Sequence, residues 1–212
     1  MSRLLDTGLE QLTAILIRMG EAAEEAIRTS IRGFMNGEDQ SENVKELSEM
    51  LSTMCVSVEE KVFELTVKYQ PVASDLRIIN SYMKIAYDFE RYGRYAWDIS
   101  LTQKRFASSG SLAYSENLME KMVDKTLSMV HSSIDALRDN DGEKAKMLAV
   151  AEKEVDKMYL EYLDKLSKAP PNTHCLISTV LVVRYLERIA DHATYIAESI
   201  YYIATGKKTI FR

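Results

Sequence analysis

The sequence predicts an all-α protein made of two tandem three-helix bundles related by internal duplication. Three observations carry that expectation. Apolar residues recur at spacings of three and four along most of the 212 residues, which is the period of an amphipathic helix. Only 8 Gly and 3 Pro occur, so tight turns are few and long helices are favoured. A segment near residue 90 returns 97 residues later, which marks a repeat too long for a solenoid unit and fitting for a duplicated domain.

The elements follow in order. Leu9, Leu12, Leu16, Met19, Ala23, Ala26 and Ile27 form one stripe, predicting a helix over about 3–35 that stops at the turn-forming pair Asn36-Gly37. Val44, Leu47, Leu51, Met54, Val58, Val62 and Leu65 predict a second over 40–69, interrupted by Pro71 because a residue before proline disfavours helix. A third is expected to start at Ser74 as N-cap with Asp75 in its first turn and to run to about 104. The run from Phe106 through Gly110 and Ser111 reads as the linker. Beyond it, Leu118, Met122, Met129, Val130, Ile134 and Leu137 predict a fourth helix ending at Asn140-Asp141-Gly142. Ala145 to Leu166 reads as the fifth. Pro170-Pro171 breaks it, and 172–204 reads as the sixth, closed by Gly206. The expected units are 1–107 and 108–212.

Alignment of the halves supports the duplication. Glu90-Arg91-Tyr92-Gly93 falls on Glu187-Arg188-Ile189-Ala190 at an offset of 97, and Ala96 and Ile99 then meet Ala193 and Ile196. The first helices match more weakly, Asn36 meeting Asn140 at an offset of 104.

Composition narrows the function. A net charge of −5 argues against nucleic acid as the partner, which calls for a cationic surface. Cys55 and Cys175 lack CxxC or Cys/His spacing and read as reduced, buried thiols. The first ten residues have no apolar core of a signal peptide. The longest apolar run, Leu176 to Val183, falls short of the ~20 residues of a spanning helix. The expectation is a cytoplasmic protein that meets a membrane only through partners. Exposed apolar helix faces would suit a homo-oligomer, most simply a dimer.

Two acid pairs stand out. Glu152 and Asp156 on the fifth helix, and Glu187 and Asp191 on the sixth, are each four apart, so each pair shares a helix face. Acid pairs at this spacing are common on solvated faces, but the small and apolar neighbours Leu186, Ile189, Ala190 and Ala193 fit a face turned to another helix. Four converging carboxylates repel and lose hydration, and a hard cation ligated by oxygen compensates both. A two-metal carboxylate bundle with enzymatic activity is the rival reading. Its oxidase version needs a Glu-x-x-His pair, which is absent from the sequence. His131, His174 and His192 read as surface or bundle-edge residues, and no nucleophilic triad or phosphate loop is present.

Tyr69-Gln70-Pro71-Val72-Ala73-Ser74-Asp75-Leu76-Arg77, followed by Met83-Lys84-Ile85 and Asp88-Phe89-Glu90-Arg91-Tyr92-Gly93, resembles the first repeat of the PhoU family. Tyr185-Leu186-Glu187-Arg188-Ile189-Ala190-Asp191-His192-Ala193, continuing through Ile196-Ala197-Glu198 to Thr205-Gly206, resembles the second, and Glu152 to Tyr159 resembles its middle helix. The resemblance implies a non-catalytic negative regulator of phosphate uptake, acting with a phosphate ABC transporter ATPase and, in bacteria, a sensor kinase. It also implies divalent or trivalent metal ions, often a multinuclear iron or zinc cluster, held by acid-x-x-x-acid motifs. Those motifs map here to Glu152, Asp156, Glu187 and Asp191.

The first repeat departs from that pattern. Glu90 is kept, but Arg94 stands four residues later, and Ser48 and Ser52 occupy the middle-helix positions. The expectation is that this half binds metal poorly or not at all and that Arg94 forms an internal ion pair with Asp88 or Asp98. In the second repeat, Tyr195 stands where the family usually has Asn.

Overall fold

A computed structural model describes residues 3–106, 116–168 and 173–211. Its described residues form α1 (Arg3–Asn36), α2 (Ser41–Tyr69), α3 (Ala73–Phe106), α4 (Glu116–Asp139), α5 (Gly142–Leu166) and α6 (Thr173–Thr205). These are the six helices expected from the periodicity. The glycine-serine linker and the Pro170-Pro171 break lie outside the described residues.

Two boundaries differ from the sequence reading. α3 begins at Ala73, not at a Ser74 cap. Gln70 and Ala73 both take left-handed backbone angles, the Asp75 amide donates to the Val72 carbonyl at 3.1 Å, and the Ser74 hydroxyl turns to the Asp75 carboxylate at 3.3 Å. The tight turn around Pro71 therefore starts the helix without a side-chain cap. α5 begins three residues earlier than expected. Asp141 Oδ1 accepts from the amides of Glu143 at 2.9 Å and Lys144 at 3.0 Å, satisfying two donors that a helix start leaves open.

The stripes face inward as their spacing requires. Leu12, Leu16, Met19, Ala23, Ala26 and Ile27 on α1 are wholly buried, as are Val44, Leu51 and Val58 on α2 and Met122 and Val130 on α4. Removing such side chains from water contributes about 2 kcal/mol for each large one. α1, α2 and α3 pack together, and α4, α5 and α6 do likewise. The two bundles join through α3 against α6 and α1 against α4, and the buried apolar residues form one continuous cluster across both. α3 and α6 run antiparallel along their length. Phe106 meets His174 at 5.8 Å between ring centroids, Tyr95 meets Tyr185 at 6.2 Å, and Arg77 meets Tyr202 at 5.6 Å. No helix among the described residues is long and apolar enough to cross a membrane. Cys55 and Cys175 are buried and form no disulfide among the described residues, and burial raises the Cys55 thiol to about 11.

Candidate metal site on the second bundle

α5 and α6 pack side by side, and the i, i+4 spacing sets each pair of acids on one face of its own helix. Glu187 and Asp191 rise from α6 among Leu186, Ile189 and Ala190, all buried. On α5, Glu152 is buried beside Leu148 and Val155, while Asp156, one turn on, is exposed. Three of the four predicted acids are thus withdrawn from water.

Arginines answer the α6 acids. Arg184 Nη1 donates to Glu187 Oε2 at 2.6 Å, and Arg188 Nη1 donates to Asp191 Oδ2. Tyr95, a residue of α3 in the other bundle, helps to hold Arg188 charged. The Arg184 guanidinium lies 5.7 Å from the Tyr159 ring on α5. Glu187 is held above the ordinary carboxylate range. Burial is the largest cause and the Asp191 charge the next; Arg184 and Arg188 oppose the rise, and Asp156 adds to it. Charges from both helices therefore meet at Glu187.

Among the described residues no three or more His, Cys, Asp or Glu side chains are gathered as a metal group. The donors fit a hard cation in kind, since all are carboxylates, and in their burial and mutual repulsion. The α6 acids Glu187 and Asp191 are turned to arginine instead. The Arg184 and Arg188 side chains keep 45% and 29% exposure, enough solvent contact to swing aside. Binding would exchange a guanidinium for a metal at each α6 acid.

The first bundle resolves its own acid differently. Glu90, at the position of Glu187, is buried and accepts from Arg94 Nε at 2.5 Å. The expected partners of Arg94 are corrected by this contact. Asp88 is engaged elsewhere, and Asp98, raised by burial, feels Arg94 only through its charge. Glu90 and Asp98 both lie four residues from Arg94, and the acid N-terminal to the cation is the better-oriented of the two partners. Ser48 is buried and Ser52 half-buried. Gly93, at the position of Ala190, lets the helices close there: a Cβ would stand 2.6 Å from Leu51 Cδ1 and 3.3 Å from the Ser48 Cα.

Sequence reasoning missed one buried polar cluster. His192, expected at a surface or bundle edge, is only 6% exposed and lies 2.7 Å from Asp88 Oδ1 through Nδ1. Its ring also approaches Tyr95 and Tyr195, at centroid distances of 5.6 and 5.3 Å. The 97-residue offset held the signal, since it maps Tyr95 onto His192. Reading it required knowing that α3 and α6 face each other.

Comparison with known proteins adds a family. The model of the PhoU domain matches residues 16–102 and again 119–200. The phosphate-specific transport system accessory protein PhoU homolog of Clostridium acetobutylicum is 32% identical over 215 aligned positions, covering 97% of this chain and 96% of that one. The protein of the same description from Rhizobium meliloti is 31% identical, covering 95% and 87%. The crystal structure of PhoU from Pseudomonas aeruginosa superposes with a TM-score of 0.91 at 26% identity, over 95% of this chain and 99% of that one. The phosphate transport system regulatory protein PhoU from Streptococcus pneumoniae shares the fold, with a TM-score of 0.88 at 20% identity over 97% and 99%.

Proposed function

From the premise that this chain belongs to the PhoU family, a regulator associated with phosphate transport, we propose that it restrains phosphate uptake as a non-catalytic adaptor. It acts on the ATPase of a phosphate ABC transporter and, through the same regulatory role, on a sensor kinase. It works in the cytoplasm as a homodimer and reaches the membrane only through these partners. The observation that carries the reading is the double match of one domain over both bundles, at nearly full coverage of relatives named as transport-system accessory proteins.

The second bundle holds metal through Glu152, Asp156, Glu187 and Asp191, and the first holds none. Burial of Glu152, Glu187 and Asp191 supports the first part, and the Glu90–Arg94 pair supports the second. Iron or zinc would be held there by carboxylate oxygens, which zinc accepts among its ligands.

Affinity capture of the cognate transporter ATPase on the full chain, at high and low phosphate, tests the adaptor reading. Retention of the ATPase at high phosphate is expected. Its absence at both concentrations refutes the reading. Size and mass measurement in solution tests the dimer.

A further inference from the structure

A groove of about 1090 Å³ runs along the first half of α3, beside the last turns of α6 and the chain that follows them. It lies away from the acid face, and three cations line it: Arg77 and Lys84 from α3, and Lys208 beyond α6. None of them forms a salt bridge among the described residues. The acids that line the groove are differently placed. Asp88 is bound to His192, and Glu198 Oε1 accepts the Phe211 amide at 2.9 Å. Glu59 stands on the α2 side.

Two of the cations are brought together by construction. The Arg77 guanidinium carbon lies 5.6 Å from the centroid of the Tyr202 ring, and Lys208 Nζ lies 5.5 Å from the same centroid. Arg77 Nε is buried with no hydrogen-bond partner, a costly state for a charged group. α6 ends at Gly206 with φ at +74°, and a Cβ there would meet Arg77 Nη1 at 2.8 Å. The glycine thus serves both the left-handed turn and the guanidinium. The tail that carries Lys208 is pinned by the Phe211 amide and by the Phe211 ring, 5.5 Å from Tyr201.

Like charges around one ring repel, and an anion bound between them would remove that cost. Guanidinium and ammonium groups together suit phosphate oxygens. The groove is far larger than one inorganic anion and has the size of sites for larger ligands. Tyr87 and Tyr195 also line the groove, and an aromatic side chain takes a flat heterocycle against its ring.

We propose that this groove binds a nucleoside polyphosphate, its phosphates on Arg77, Lys208 and Lys84 and its base against the tyrosine rings. The site is distinct from the carboxylates of the second bundle and needs no metal there.

Titration calorimetry of the full chain with ATP, in buffer containing EDTA, tests this. Saturable binding is expected that weakens as salt is raised. Arg77→Gln and Lys208→Gln should each weaken it about tenfold or more, while Arg18→Gln on α1, outside the groove, leaves it unchanged. Circular dichroism establishes that each variant keeps its helices; should Arg77→Gln unfold, Lys84→Gln with Lys208→Gln replaces it. Absence of ATP binding at millimolar concentration overturns the proposal. So does binding that folded groove variants leave intact. Pyrophosphate binding as tightly as ATP removes the base from the site and overturns the nucleotide assignment. An oligoglutamate peptide that binds where ATP does not assigns the groove to an acidic protein segment instead.

Discussion

Asp88 Oδ1 on α3 and His192 Nδ1 on α6 lie 2.7 Å apart, and this buried contact joins the two bundles. The 97-residue offset carries Asp88 onto Tyr185 and Tyr95 onto His192. The stacked Tyr95–Tyr185 pair, at 6.2 Å, is therefore the counterpart of the Asp88–His192 pair in the duplicated fold. One position of the junction holds a ring stack, and its mate holds a polar pair.

Removing the carboxylate should leave the His192 ring buried without its partner. Asp88→Ala is expected to cost about 3 kcal/mol of unfolding free energy. Asp88→Asn, which keeps a hydrogen-bonding group, should cost about 1 kcal/mol. Urea denaturation measures both, and equal costs for the two variants would count against the pairing.

Burial and the neighbouring Asp191 raise the Glu187 carboxyl. A carboxyl raised on folding stabilises the native state fully below its unfolded pKa, and that contribution is lost as pH rises through the folded value. With chelator present, the wild type should therefore lose stability relative to Glu187→Gln as pH climbs from about 4 toward neutrality. Parallel stability curves for the two proteins would contradict it. Metal loading should show the opposite trend, tightening with pH because ligation needs ionised carboxylates.

Elemental analysis of protein purified without chelator should find metal in the wild type and little in the Glu187→Ala, Asp191→Ala double variant. Arg94→Ala in the first bundle should leave metal content unchanged, since Ser48 and Ser52 supply no charge opposite Glu90. Unchanged metal in the double variant would remove these acids from the site.

Gly93→Ala places a methyl 2.6 Å from Leu51 Cδ1 and 3.3 Å from the Ser48 Cα. Leu51 can rotate, but the α2 backbone must shift as well. Overpacking of this kind costs about 1–3 kcal/mol, and thermal unfolding should show it as a lowered midpoint. An unchanged midpoint would mean that α2 yields without strain.

The six helices were legible because each buries a stripe whose period the sequence displays, and burial of Leu12, Leu16 and Met19 on α1 follows from spacing alone. The duplication was legible as the Glu90 and Glu187 segments. Which acids share a helix face followed from the four-residue spacing. Spacing along one helix does not say which helix lies opposite or how the side chains turn. Only packing of α3 against α6 made His192 a buried partner of Asp88, and only local reach gave Arg94 to Glu90. Packing likewise left Asp156 exposed while Glu152 was covered, whereas Arg184 and Arg188 meet the α6 acids three residues on in their own helix. The sequence by itself determined the helices, their inward faces and the repeat, because these depend on periodicity within a segment. The tertiary structure decided which acids are covered and that Asp88 meets His192, because that depends on contacts between residues far apart in the chain.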